Sequence, residues 1–597
     1  MSDYKAPIKD MLFVLKELAG LDLVSKLPGC EDISVDLVQQ ILEENARFSS
    51  EVLAPLNQSG DQEGSVLKDG AVTTPKGFKQ AYRQFVEGGW NALQFPAEYG
   101  GQGLPKLVST PVMEMWKSAN MAFSLCPLLT TGAIEALMLR GTEEQKKIYL
   151  PKMVEGTWTG TMNLTEPQAG SDLGLIKTRA EPASNGSYSI RGQKIFITWG
   201  EQDFTENIVH LVLARTPDAP EGVRGISLFI VPKFMLNADG SPGARNDVKC
   251  ASLEHKLGIH ASPTAVMIYG EKEGAVGYLV GEENRGLETM FIMMNAARFA
   301  VGLEGVAIAE RAYQQALAYA RDRIQSRDLA GGNKSVPIIR QPDVRRMLMS
   351  MKTQTEAMRA LAYVVAAAMD AAHRHPDTAE RAKQQAFVDL MIPIVKGWST
   401  ETGIEVASTG VQIHGGMGFI EETGAAQHLR DARITSIYEG TTGIQANDLI
   451  GRKIAREGGA TARALIEIMR GTVAALHKVQ EEDFAAIAKS LGIGIEAAAD
   501  CVAWMVATYA SDIKAAHASA VPFLQLMGVV CGGWQMALAA LVAKTNLDAN
   551  SSDKDFYQAK IISARFYSDH VLSQAAGLRD TVVLGANSVM ALTEEQF

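Results

Sequence analysis

The feature that most constrains this fold is a change of period in the middle of the chain. Residues 188–191, 194–198, 208–213, 226–231 and 264–269 are short runs rich in β-branched side chains, separated by Gly, Pro and Asn. Such runs read as strands of a small barrel or sandwich. On either side the apolar residues recur at helical spacing instead, for example Met11, Leu12, Leu15 and Leu18, then Leu37, Val38, Ile41 and Leu42. Strands confined to the middle predict a mainly α protein with a central β domain. At 597 residues the chain is too long for one core. The expected division is an N-terminal helical domain with an extension (1–156), a β domain (157–282), a helical bundle (283–455) and an additional helical bundle (456–597).

Within that frame, helical spacing begins at Asp3 and runs to about Ser50, broken at Pro28-Gly29. Residues 57–74, dense in Gly, Asp, Gln and Ser, read as a loop. A helix is expected over 75–89, and Thr142 suits the N-cap of another. Later helices are expected over 289–323, 342–375, 378–409, 460–479, 495–510, 522–543 and 555–576. No Asp, Glu, Lys or Arg occurs between Lys514 and Lys544, a stretch long enough to span a bilayer. Pro522, Gly528, Gly532 and Gly533 interrupt it, and no basic cluster flanks it. The expectation is a buried helix pair and no membrane span.

Composition removes several classes of function. A net charge of −11 leaves no electrostatic footprint for nucleic acid. The five cysteines show no CxxC and no paired His spacing, so neither a zinc site nor a disulfide framework is expected, and no metal is assigned. The N-terminal residues carry charge where a signal peptide needs an apolar core, which predicts a cytoplasmic protein.

One acid stands out. After Arg430, Asp431 and Arg433, five uncharged residues follow, and Glu439 then appears directly before Gly440-Thr441. Such a turn leaves backbone N–H groups free to face a ligand. A lone Glu is more often a cap or a solvated charge; its companions change the balance. Gly415, Gly416 and Gly418 upstream allow close approach of a bulky anion. Farther back, a strand ends in the Pro- and Gly-rich loop 162–172, and the run 194–200 follows.

The motifs TEPxAGSD at 165–172, KxFIT at 194–198, QIHGGMGF at 412–419 and IYEGT at 437–441 resemble, in this order, those of the acyl-CoA dehydrogenase family. The resemblance runs from about Gly88 to Lys453. With the residues appended after Lys453, it extends to the long bacterial subgroup that includes 3-methylmercaptopropionyl-CoA dehydrogenases. What the resemblance implies is oxidation of an acyl-CoA to its trans-2-enoyl form. Glu439 is then the base that takes the α-proton. The β-hydrogen leaves as hydride, which no side chain can accept, so a cofactor must; the resemblance supplies FAD.

The same resemblance assigns the remaining roles. Met162, Leu164, Thr165, Gly170 and Ser171 contact the flavin ring and ribityl chain, with Ser171 also near CoA. Phe196 and Thr198 back the flavin, Phe196 standing where many relatives carry Trp. Arg323 meets the FAD pyrophosphate of a neighbouring subunit, though Ile324-Gln325-Ser326 and an insertion through Asn333 replace the usual Phe-Gly. Gln341, Gln412, Gly415, Gly416 and Thr441 complete the FAD set, and Asn295, Arg298 and Gly440 lie near the acyl-CoA. Some relatives place the base just before the Arg298 position, but 295–297 holds no carboxylate. The implied partners are an acyl-CoA, with a short, medium or 3-methylmercaptopropionyl group, an electron-transfer flavoprotein, and a second copy of the chain in a dimer or dimer of dimers. Two alternatives stay open. An acyl-CoA oxidase shares the chemistry, and a DNA-binding damage-response flavoprotein shares the fold, although the 11 Lys+Arg against 15 Asp+Glu from Arg456 onward oppose DNA binding.

Overall fold

The computed structural model describes residues 4–597; Asp3, the expected start of the first helical region, lies outside them. By contacts the chain forms two units, one of residues 47–104 and 119–300, the other of 1–46, 105–118 and 301–597. The mainly α fold with a central β region is as expected.

The first unit is built on an eight-stranded sheet. Its path runs Val248–Leu253, Thr264–Tyr269, Tyr188–Thr198, Ala275–Val280, Ser227–Pro232, Asn207–Ala214 and Trp158–Asn163, with Arg179–Pro182 also paired to Tyr188–Thr198. All neighbours are antiparallel except Trp158–Asn163 beside Asn207–Ala214. The expected runs 188–191 and 194–198 are one 11-residue strand. It pairs through its first half with Ala275–Val280 and through its second with Thr264–Tyr269. Ile190, Ile197, Val212, Phe229, Val231 and Tyr269 fill the core of the sheet. Helix Met121–Arg140 packs on Trp158–Asn163, where Gly160 is required: a Cβ there would stand 2.5 Å from Ala133. Thr142 caps Glu143–Glu155 in a reciprocal box with Gln145.

Residues 57–74 are not a loop. They form the end of helix Pro55–Glu63 and a hairpin, Val66–Lys68 with Ala71–Thr73. Pro55 sits in the first helical turn, where its missing N–H costs nothing. Asp69 and Gly70 both take positive φ (52° and 77°), as a two-residue hairpin turn of primed type requires. The polar composition marked a turn, and the tertiary contacts made the flanks regular.

The second unit holds the long helices Pro342–Arg374 and Thr378–His414, the part of Gly286–Asp322 beyond Ala300, and the appended helices Ala460–Leu476, Glu482–Ser511, Ala520–Asp548, Lys554–His570 and Ala575–Leu584. The apolar stretch expected as a helix pair is one helix, Ala520–Asp548, its most apolar window 83% buried. Its glycines make close contacts rather than breaks: a Cβ on Gly528 would lie 2.1 Å from Trp398, and one on Gly532 2.6 Å from the Tyr567 hydroxyl. Among the described residues, three further helices are long and apolar enough to cross a membrane by length and composition. A buried charge cluster fastens the sequence ends to the bundle. Arg359 pairs with Asp10 (2.7 Å), Glu114 (2.7 Å) and Glu310 (2.6 Å), and Lys560 pairs with Asp10.

Candidate active site

Glu439 stands where one helical run ends and another begins. Helix Ala425–Ala432 tightens into a single 3₁₀ turn, Arg433–Ser436, and the next helix, Thr442–Asp448, starts under Thr441 as its cap. Between them Glu439 and Gly440 take φ of 56° and 87°. A left-handed residue with a side chain costs about 1–3 kcal/mol and persists only where its surroundings over-determine it. Here Gln445 Nε2 donates to the Glu439 and Gly440 carbonyls, each at 3.2 Å, and Lys396 Nζ donates to the Gly440 carbonyl at 2.7 Å. The Thr441 hydroxyl accepts from the Ile444 N–H at 3.2 Å. Glu439 itself is half-buried. Tyr438 donates its hydroxyl to Glu304, which pairs with Lys117 at 3.2 Å.

In the other unit, strand Trp158–Asn163 carries Met162 and leads into the segment with Leu164, Thr165, Gly170 and Ser171. Leu164 is buried, Thr165 half-buried, Gly170 and Ser171 exposed. The brace of this loop is Glu166, only 4% exposed. It accepts from Lys194 Nζ (2.9 Å), the Thr178 hydroxyl (2.6 Å), the Lys177 N–H (2.6 Å) and Gln168 Nε2 (2.7 Å). Burial pushes its carboxyl up, but Lys194 and these donors overcome that and hold it at about 2. Glu166 and Lys194 are charged members of two different motifs, and the structure makes them one buried ion pair.

The Ile195 N–H donates to the Thr165 carbonyl at 2.9 Å, which brings Phe196 and Thr198 alongside the loop. A strand Phe is ordinarily core. Phe196 is 59% exposed with φ of 59°, because the pairing with Thr264–Tyr269 slips between Ala265 and Met267. Two residues, Ile195 and Phe196, thus oppose one and form a bulge. Asn295 is exposed and Arg298 buried, one turn apart on Gly286–Asp322.

The remaining cofactor candidates gather in the helical unit. Arg323, exposed, closes helix Gly286–Asp322, and the departure after it is a hairpin, Ile324–Arg327 with Ser335–Pro337. The Ile338 N–H donates to the Arg323 carbonyl (2.8 Å) and Gln341 Nε2 to the Arg327 carbonyl (3.1 Å), so Arg323 and Gln341 flank one element. Gln412 lies in the last turn of Thr378–His414, not in a loop, and Gly415 ends that helix with φ of 61°. Nothing lies within 4 Å of where a Cβ would stand on Gly415, Gly416 or, in the other unit, Gly170. His414 stacks on Tyr319 with centroids 4.4 Å apart, and so sets the glycine turn beside the helix end bearing Arg323. Sequence reasoning missed that stack, as it missed Glu304 and Lys117. His428 accepts or donates at Gln315 (2.8 Å), and burial pushes its ring down to about 3. Among the described residues no group of three or more His, Cys, Asp or Glu could hold a metal.

Each unit, taken by itself, offers features that suit part of a flavin cofactor. An exposed aromatic on a strained bulge adjoins an open loop, and an exposed Arg adjoins a glycine turn with room for a diphosphate.

Comparison with known proteins agrees. Family models for the acyl-CoA dehydrogenase N-terminal, middle and C-terminal domains match residues 37–157, 161–270 and 284–454, and an acetyl-CoA dehydrogenase C-terminal-like model matches 465–593. The 3-methylmercaptopropionyl-CoA dehydrogenase of Ruegeria pomeroyi is 52% identical over 98% of this chain and 99% of its own. A butyryl-CoA dehydrogenase of Syntrophomonas wolfei is 34% identical over 100% of this chain and 99% of its own. Among solved structures, a chain from that of the electron transferring flavoprotein of Acidaminococcus fermentans is 27% identical, with a TM-score of 0.57, covering 70% of this chain and 97% of that one. The acyl-CoA dehydrogenase of Bacillus anthracis complexed with FAD shares the fold, with a TM-score of 0.73 and 23% identity over 96% of this chain and 91% of that one. The chain belongs to the acyl-CoA dehydrogenase family.

Proposed function

We propose that Glu439 is the base of an FAD-dependent oxidation that converts an acyl-CoA to its trans-2-enoyl-CoA. The observation that carries this is the presentation of the Glu439 carboxylate, half-buried, on a left-handed turn whose main chain is held by Lys396 and Gln445. The Glu439 carboxylate takes the α-proton, and charge develops on the thioester oxygen. A main-chain N–H donor at 439, with Gly440 beside it, would meet that charge without reorganising. Asn295 and Arg298 are assigned to the acyl-CoA. Bound FAD supplies the two-electron acceptor that side chains lack. The residues that would hold it are the segment Met162 to Ser171, Phe196, Thr198, Arg323, Gln341, Gln412, Gly415, Gly416 and Thr441.

The identity to the Ruegeria protein favours 3-methylmercaptopropionyl-CoA, with short and medium acyl-CoAs as the alternative substrates. Electrons pass to an electron-transfer flavoprotein, a partner suggested by the Acidaminococcus structure. The active form is a cytoplasmic homo-oligomer. Phe419, 85% exposed beside Met417 and Ile420 on the glycine turn, supports a second copy seated there. The four-segment division at 156, 282 and 455 remains part of this reading. Anaerobic flavin bleaching over a panel of acyl-CoA thioesters tests the substrate: the 3-methylmercaptopropionyl and short-chain thioesters should bleach fastest. Stoichiometric hydrogen peroxide in air would instead identify an oxidase.

A further inference from the structure

The Glu304 carboxylate is fully buried and belongs to none of the sequence motifs. It accepts from the Tyr438 hydroxyl and pairs with Lys117 Nζ at 3.2 Å, Lys117 being only 2% exposed. Lys117 comes from helix Lys106–Ala119 and Glu304 from Gly286–Asp322, so two helices distant in sequence converge on the residue before the base. Burial lowers the Lys117 ammonium from its usual range, and burial followed by the Glu304 charge raises the Tyr438 phenol. The proton on the tyrosine is therefore retained for donation.

A buried ion pair is a weak source of stability, because its desolvation offsets much of its attraction. One turn away from Glu304 on its own helix, Val301, Ala307 and Ile308 are apolar and buried. A charged pair in such surroundings, ending on one hydroxyl, is better suited to fixing a position than to holding the fold.

We propose that Glu304, clamped by Lys117, is a positioning residue for proton abstraction: it holds the Tyr438 hydroxyl and so fixes the turn that presents Glu439. Lys396 and Gln445 grip the Gly440 side of the same turn, so the left-handed residue is held from both ends. The inference rests on Glu439 being the base.

The test uses the FAD-loaded enzyme with butyryl-CoA. Tyr438→Phe removes one hydroxyl and leaves the ion pair intact, so it should fold. It is expected to slow anaerobic flavin reduction about tenfold with KM within about twofold, as a small misplacement of a reacting group does. Without substrate, amide exchange over residues 436–444 should accelerate while flavin content stays unchanged. Glu304→Gln, which keeps an acceptor for Tyr438 but deprives Lys117 of its counter-charge, should show the same split to a smaller degree.

Wild-type reduction rates and wild-type amide exchange in Tyr438→Phe would overturn the proposal, even if Glu304→Gln fails to fold. Complete loss of α-proton exchange in Glu304→Gln with Tyr438→Phe normal would also overturn it, by making Glu304 a reacting group. Glu439→Gln run alongside separates the two readings. If it retains turnover, the base assignment falls and this proposal with it. If it is inactive while both other variants run normally, only the positioning role falls.

Discussion

Two carboxylates, from the first and the last of the motifs, meet different surroundings. Glu166 is enclosed: five donors surround it, and its pKa is held at about 2. Glu439 is half-buried on a left-handed backbone, and the groups that fix its turn act on its main chain and on Tyr438. An acid so thoroughly satisfied cannot take a proton at neutral pH, so Glu166 can only brace. A half-buried acid on a gripped left-handed turn is what the proposed base at Glu439 requires.

Exchanging the two acids for their amides should separate chemistry from structure. Glu439→Gln should lower the rate of flavin reduction by about 10³-fold, in the range of general-base contributions, with stability nearly unchanged. Glu166→Gln should do the reverse. The depressed carboxyl marks a stabilising charge interaction, offset in part by the burial that lowers the Lys194 ammonium to about 8, and its loss should be read as a lower urea midpoint at pH 7 and weaker flavin retention. The sign sets its pH window. Because the folded pKa is depressed, that contribution is complete above about pH 4.5 and disappears as pH falls towards 2. The gap between wild-type and Glu166→Gln midpoints should therefore close over this range. A gap independent of pH would mean that packing, not charge, supports the loop.

Two glycines sharpen the contrast. Gly440→Ala places a Cβ 2.7 Å from Gln445 Nε2 at a φ of 87°, and should cost about 1–2 kcal/mol while slowing turnover. Gly170→Ala meets nothing within 4 Å and should change the melting temperature by less than about 0.5 kcal/mol equivalent. Its effect should appear in flavin affinity alone, measured by fluorescence titration of the apoprotein.

The contrast between the acids was only partly legible in the chain. The β region announced itself by period, and Glu439 by its motif. Nothing near Thr165 revealed that Glu166 would be enclosed, because its partner Lys194 lies 28 residues away. Lys117 and Glu304 are 187 residues apart, and a single sequence carries no signal for such a pair. Phe196 defied the usual burial of strand aromatics because a bulge turned it outward, a matter of register rather than composition. Residues 57–74 show the opposite case. The Asp69-Gly70 hairpin signal was present but was masked by the polar residues around it. The glycines of Ala520–Asp548 read as interruptions, whereas they admit Trp398 and Tyr567 against the helix.

The most direct test incubates flavin-loaded wild-type and Glu439→Gln enzyme with butyryl-CoA in heavy water without an electron acceptor, and follows deuterium at the α-carbon by mass spectrometry. Wild-type enzyme should incorporate it rapidly, and Glu439→Gln, still yellow and folded, should incorporate none above the uncatalysed background. Incorporation by the variant at a rate near that of wild type would show that another group removes the proton.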